Sequence, residues 1–114
     1  MRKIVLATLL LFFSSFAHSN FTAAELLEEA ESKDDIKTFG STALISGWMM
    51  GFISAQIAYE VNLNQPKIIC MPKELTAGIV KKIFIKYAND HPEELVDRAE
   101  LTLFRALIEA YPCP

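Results

Sequence analysis

The sequence is poor in the residues that most catalytic and metal sites need. It has two cysteines and two histidines, too few for a structural zinc site without carboxylate ligands. Four glycines and five prolines exclude collagen-like and low-complexity architectures, and no glycine-rich phosphate loop occurs. Basic residues number 11 against 14 acidic ones, so the formal charge of −3 argues against nucleic-acid binding. These absences predict a binding protein rather than an enzyme, with no cofactor and no metal.

Apolar residues, by contrast, are abundant. Hydrophobic residues make up 52% of the 114-residue chain and charged residues 22%. This composition can offset the conformational entropy lost on folding, which a disordered segment cannot do. The length corresponds to one domain.

The N-terminus has the pattern of a secretory signal peptide. A basic pair precedes an apolar run over residues 4–13, and Ala17-His18-Ser19 fits the small-residue cleavage motif. The apolar run is shorter than the roughly 20 residues of a membrane span, which disfavours an anchor. We predict a signal peptide over residues 1–19 and a mature periplasmic domain over residues 20–114. Loss of the basic pair leaves nine basic residues against 14 acidic ones, a net charge of −5.

The first half of the mature chain has the pattern of two helices. Thr22 and Glu25 are spaced as a capping box, and this helix is expected to end near Glu31. Residues 38–59 carry no charge and are apolar nearly all round in their middle. Such a helix lies centrally in a bundle or in a membrane. Its hydroxyl-bearing residues favour a central helix that is contacted on several sides.

The second half also predicts two helices, after a loop over residues 61–67. The third helix begins near Thr76, and the fourth begins at Asp90 or at Asp97, the earlier start being favoured by Pro92. Apolar residues at helical spacing predict the buried faces: Ile79, Val80, Ile83, Phe84 and Tyr87, then Leu101, Phe104, Leu107, Ile108 and Tyr111. The fold class is therefore all-α, a small bundle of about four helices.

Cys70 and Cys113 are predicted to form one disulfide. Export would place them in an oxidising compartment, where two cysteines permit a single intramolecular pairing. Cys70 comes just before the third helix and Cys113 just after the fourth. An antiparallel hairpin of these helices would bring the two cysteines together.

Small residues recur every four positions in the second helix, at Gly47, Gly51 and Ala55. This spacing permits close approach of another helix. We predict a close-packed seam along these residues, either within the bundle or across a homodimer.

Four short motifs together resemble the Rap family of immunity proteins, which protect bacteria against peptidoglycan amidases delivered by type VI secretion. They are Gly47-Trp48-Met49-Met50-Gly51, Ile69-Cys70-Met71-Pro72, His91-Pro92-Glu93 and Ala110-Tyr111-Pro112-Cys113. The resemblance implies a small all-α periplasmic protein, often dimeric and without catalytic residues, that occludes the amidase active site.

One departure from the family concerns two further cysteines that its members commonly carry. They would fall near Ala30 and Ile45 here, and both are absent. The resemblance implies that they normally pair with each other, so that their loss leaves Cys70–Cys113 as the retained bridge.

The candidate contact with a partner is the predicted loop Asn62-Leu63-Asn64-Gln65, which offers side-chain amides and one aliphatic residue. An ordinary connector is the alternative interpretation of this loop. His91, the one histidine of the mature chain, is interpreted as a turn or capping residue rather than a catalytic base. Two other functions stay open: a periplasmic acid-stress chaperone, and a membrane-associated subunit that uses the uncharged helix.

Overall fold

The computed structural model describes residues 21–114, which form four α-helices and one short 3-10 turn. The helices are α1 (Ala23–Glu31), α2 (Asp35–Leu63), α3 (Ala77–Asp90) and α4 (Ala99–Ala110), and the 3-10 turn is Pro92–Glu94. Within these residues, backbone pairing of the β type is limited to two isolated bridges. The predicted all-α bundle of about four helices is confirmed. The predicted signal peptide over residues 1–19 lies outside the described residues.

Helix α1 is fixed at its start by the predicted capping box. The Thr22 hydroxyl accepts a hydrogen bond from the Glu25 amide at 3.3 Å, and Glu25 Oε2 accepts one from the Thr22 amide at 2.8 Å. The next free amides of the helix, those of Ala23 and Ala24, donate to backbone carbonyls of residues 97 and 95. The N-terminus of α1 is therefore bonded to the segment that leads into α4, which satisfies donors that a helix end leaves unpaired.

Helix α2 is longer than the sequence predicted at both ends. It begins at Asp35 because the Asp34 carboxylate accepts from the amides of Ile36 and Lys37, and it ends at Leu63, inside the predicted loop. With 29 residues it is about 43 Å long, against roughly 21 Å for α3. Among the helices of residues 21–114, none combines the length and the hydrophobicity that a membrane span requires.

The prediction that α2 is contacted on several sides is wrong. One face packs on α1 and α3, and its buried residues are Ser41, Ile45 and Met49. No α2 residue after Met49 is buried. Although α2 is apolar nearly all round, only one of its faces is in the core. Its second apolar face is exposed to solvent.

The core lies where α1, α2, α3 and α4 meet. Its largest fully buried side chains are Phe84, Leu26, Ile45, Ile69, Leu103, Leu107 and Val80. The predicted face of α3 is confirmed except at Ile79, which is 42% exposed. The predicted face of α4 is rotated: Leu103 and Ala106 are buried, whereas Leu101 and Ile108 are exposed.

Helix α4 starts later than the favoured prediction. Pro92 opens a separate 3-10 turn rather than the helix, and α4 begins at Ala99 with Arg98 as an N-cap that makes no side-chain cap bond. The carbonyl of Phe21 accepts from the Ala99 amide at 2.9 Å. A backbone contact from a distant segment therefore sets this start.

Candidate functional site

The predicted disulfide is present and closes the bundle. Cys70 and Cys113 are bonded, with a sequence separation of 43 and their Cα atoms 5.0 Å apart. Beside it, the Cys70 amide donates to the Tyr111 carbonyl at 3.1 Å, and Ile69 forms an isolated bridge with Pro112. The segment before α3 is thus fastened to the end of α4, as the antiparallel hairpin predicted.

The candidate contact residues lie together at the end of α2. Asn62 and Leu63 are the last two residues of the helix, and Asn64 terminates it in the left-handed region at φ 50°. Gln65 follows and donates weakly to the Leu63 carbonyl at 3.4 Å. All four are exposed. We call Asn62–Gln65 the α2 tip. The prediction that all four form a loop is wrong for Asn62 and Leu63, because asparagine tolerates the left-handed cap and places the stop at Asn64.

Around this tip the end of α2 is apolar and open to solvent. Val61 is 75% exposed and Leu63 59% exposed, and Ile57 and Tyr59 are also exposed. A single exposed apolar residue needs no explanation, but a contiguous group marks an interaction surface. The exposed apolar residues here form two pairs on different faces of the helix, Ile57 with Val61 and Tyr59 with Leu63, each pair one turn apart.

A second exposed apolar surface runs along the whole back of α2. Its members alternate at spacings of four and three residues: Ile36, Gly40, Ala43, Gly47, Met50, Ser54, Ile57 and Val61. All eight are exposed and none is charged. We call this surface the α2 stripe. Apolar residues at 4-3 spacing over several heptads are the pattern of a helix that pairs with another helix.

The predicted seam lies at the edge of this stripe. Gly47, Gly51 and Ala55 are exposed, and a Cβ added at Gly47 or Gly51 would meet no atom within 4 Å. The expectation that the two glycines pack within the bundle is therefore wrong, since α1, α3 and α4 all lie on the other side of α2. The homodimer alternative stays a prediction.

A groove separates the second half of α2 from the chain segment that leads into the disulfide. It has a volume of about 350 Å³ and is lined mainly by apolar side chains, among them Met49, Ile53, Ile69, Met71 and Leu75. Gln56 joins the two sides of the groove by hydrogen bonds. The Gln56 Oε1 atom accepts from the amides of Ile68 and Ile69 at 3.2 and 3.0 Å, and the Gln56 Nε2 atom donates to the Ile69 carbonyl at 3.1 Å. The groove is thus preformed.

Titratable side chains cluster around the 3-10 turn. Glu94 accepts from the Tyr87 hydroxyl at 3.1 Å and from Arg105 at 3.1 Å, and Arg105 also donates to Asp97 at 2.6 Å. His91 stacks on Tyr87 with ring centroids 4.2 Å apart. Burial raises the pKa of the Tyr87 phenol, and the hydrogen bond to Glu94 raises this pKa further.

The side chains of this cluster bond to one another and hold the 3-10 turn in place. His91 Nδ1 lies 3.2 Å from Glu93 Oε1, and one ligand atom each of His91, Glu93 and Glu94 lie within 4.8 Å of one another. Both Glu94 oxygens, however, already accept hydrogen bonds from protein donors. The carboxylates therefore tie the turn to α3 and α4. His91 caps the end of α3, as the sequence predicted.

Comparison with known proteins identifies the family. The model of the Rap1a immunity proteins matches residues 22–113. The chain belongs to the Rap1a immunity protein family. No match was found among curated proteins or among solved structures.

The Rap1a match coincides with the closed bundle. It begins at Thr22, the N-cap of α1, and ends at Cys113, the second half-cystine. Ala30 and Ile45, near which the family resemblance would place two further cysteines, are buried here. In this Rap1a chain, apolar side chains therefore hold α1 against α2 without a second bridge.

Two features of this Rap1a protein were missed in the sequence. The α2 stripe could have been found, because its 4-3 spacing is continuous from Ile36 to Val61. The groove could not, because Gln56 and Ile69 are 13 residues apart and only the folded chain brings them together.

Proposed function

We propose that this protein is a periplasmic immunity protein that binds a secreted peptidoglycan amidase and blocks its active site. The observation that carries the proposal is the family match over residues 22–113. The amidase as target and the periplasm as location come from the resemblance to the Rap family and from the signal-peptide pattern of residues 1–19. The protein itself catalyses nothing in this proposal.

The α2 tip is the element that we propose enters the amidase cleft. Its support is its position at the end of the longest helix within residues 21–114 and the exposure of Leu63. Asn62, Asn64 and Gln65 supply amide donors and acceptors for a polar cleft. A preformed helix end loses little conformational entropy on binding.

Co-expression tests the proposed function. The mature protein is produced in the periplasm together with the amidase encoded beside it, and both cell lysis and complex formation are measured. We expect protection from lysis and a complex on size exclusion. Leu63→Asp should weaken the complex at least tenfold, whereas Val96→Asp, a similar change at an exposed valine outside α2, should not. Lysis without any complex would refute the immunity function and favour the acid-stress chaperone.

Export is tested separately by mass spectrometry of the periplasmic fraction. The mature chain is expected to start at or within a few residues of Asn20. An intact chain beginning at Met1 in the cytoplasm would contradict the proposed location without affecting the binding result.

We further propose that the α2 stripe forms the homodimer interface. Its small members, Gly40, Ala43, Gly47 and Ser54, permit close approach of two helices. Its large members Ile36, Met50 and Val61 supply apolar contacts and are 83%, 70% and 75% exposed. None of the eight stripe residues is charged. In the proposed dimer, the stripe of one chain would pack against the stripe of the second chain as in a coiled coil.

The mass of the protein in solution tests this interface. The mature protein is expected to have twice the chain mass, and Ala43→Glu or Met50→Glu should give the single-chain mass. Leu101→Glu, at an exposed leucine of α4, is the matched control and should remain dimeric. A monomeric wild-type protein, or a dimer that survives both α2 changes, would contradict the interface.

A further inference from the structure

The groove beside α2 is a second surface that differs from the stripe and the tip in charge. Lys67 and Lys73 line it, against one acid, Glu60. Within residues 21–114, no carboxylate lies within 4 Å of either ammonium group. The mature chain as a whole is acidic. The groove is therefore a local cationic site on an acidic protein.

The groove is also held rigid from two sides. Gln56 binds the backbone of Ile68 and Ile69 through three hydrogen bonds, and the next residue, Cys70, is covalently joined to the end of α4. A preformed apolar pocket of this kind can accept a partner side chain without paying for its own ordering. Its volume of about 350 Å³ is at the lower end of ligand pockets, which run from roughly 300 to 1,000 Å³.

We propose that this groove binds an apolar side chain of the secreted effector that stands next to a carboxylate. The apolar side chain fills the space between Ile53, Met71 and Leu75, and the carboxylate pairs with Lys67 or Lys73. Buried anchors of this kind carry most of the energy of protein interfaces, and complementary charge beside them fixes orientation. This inference rests on the proposed function and adds a second contact to the α2 tip.

The groove remains available in a homodimer built on the α2 stripe. The residues Met49, Ile53 and Gln56 face the groove, and none of them belongs to the stripe. Ile57 alone is shared by the two surfaces, at their boundary. The stripe and the groove can therefore be tested by separate substitutions.

The affinity of the mature protein for the neighbouring amidase tests this proposal. Ile53→Asp should weaken binding at least tenfold, and its control is Ile79→Asp, a change at an isoleucine of similar exposure on α3 (39% and 42%). The double charge reversal Lys67→Glu with Lys73→Glu should also weaken binding at least tenfold and reduce its dependence on salt. Its control is Lys33→Glu with Lys82→Glu, which changes the net charge equally at exposed lysines outside the groove.

The outcomes separate the two proposals. If the wild-type protein binds and all four variants bind like it, the groove proposal is overturned while the proposed function stands. If the controls lose as much affinity as the groove variants, the effect is general charge and the groove is likewise overturned. If the wild-type protein does not bind the amidase at all, both fail. Thermal unfolding of each variant verifies that it folds. If Ile53→Asp does not fold, the double lysine variant still tests the groove, because Lys67 and Lys73 are exposed.

Discussion

Gln56 holds the backbone of Ile69 in the way that a neighbouring strand would. Its side-chain amide both accepts from the Ile69 N–H at 3.0 Å and donates to the Ile69 carbonyl at 3.1 Å, and Ile69 is fully buried. Gln56→Ala should lower the free energy of unfolding by about 2–4 kcal/mol, because buried backbone groups lose their partners. Urea denaturation measures this. Gln65→Ala, at an exposed glutamine, should change stability by less than about 0.5 kcal/mol. Equal stability of the two variants would contradict the role of Gln56.

The disulfide should contribute a large share of the stability. Closing a loop with a sequence separation of 43 between Cys70 and Cys113 is worth about 4 kcal/mol in the chain-entropy model. Cys70→Ala, Cys113→Ala and the double variant should each cost about 2–5 kcal/mol, and the double variant should cost no more than either single one. Denaturation with and without reductant measures this. A wild-type protein that is insensitive to reductant, or free thiols in unreduced protein, would contradict the bridge.

Among residues 21–114, the buried hydroxyl of Thr102 has no hydrogen-bond partner. Thr102→Val keeps the shape of the side chain and removes the unpaired polar group, so it should raise the free energy of unfolding by about 1 kcal/mol. Thr42→Val is the matched control and should lower the free energy of unfolding. The Thr42 hydroxyl is hydrogen-bonded: it donates to the Thr38 carbonyl at 2.9 Å and accepts from Lys81 at 3.4 Å. Thermal unfolding compares the two. Destabilisation by Thr102→Val would show that its hydroxyl is bonded in solution.

Tyr87 should make stability sensitive to alkaline pH. The pKa of its phenol is raised by burial and by Glu94, so the folded protein holds the proton more tightly than the unfolded chain. The contribution is complete below the ordinary value near pH 10 and is lost as the pH rises through the raised pKa. Tyr87→Phe should cost about 1 kcal/mol at neutral pH through the lost hydrogen bond.

The difference between wild type and Tyr87→Phe should stay constant up to about pH 10 and shrink above it. Denaturant unfolding at several pH values measures this difference. Tyr59→Phe, at an exposed tyrosine, is the control and should change stability by less than about 0.5 kcal/mol. A difference that grows above pH 10 would contradict the sign.

Helix starts that depend on local chemistry were predictable. The capping box of Thr22 and Glu25 is present as predicted, and the third helix begins beside Thr76 as predicted, with the Thr76 hydroxyl as its cap. The start of α4 was not predictable, because it is set by the backbone of Phe21, which is far away in the sequence. The ends of α2 do not coincide with the ends of the uncharged stretch, because the charged residues Asp35, Lys37 and Glu60 are also helical.

The candidate site was predictable only in its composition. The sequence places Asn62, Leu63, Asn64 and Gln65 next to one another, and the structure shows that they stand at a helix end. The sequence does not show that a groove forms beside these residues. The groove requires contact between Gln56 and Ile69, which the folded chain brings together.

The sequence alone determined the helical class, the four helical segments and the pairing of Cys70 with Cys113, because periodicity, capping and cysteine number act locally or allow one solution. Tertiary structure decided which apolar face of α2 is buried. Both faces are apolar, and only the packing of α1 and α3 against Ile45 and Met49 leaves Met50 and its heptad neighbours in solvent. Burial follows from which elements meet, and that depends on the whole chain.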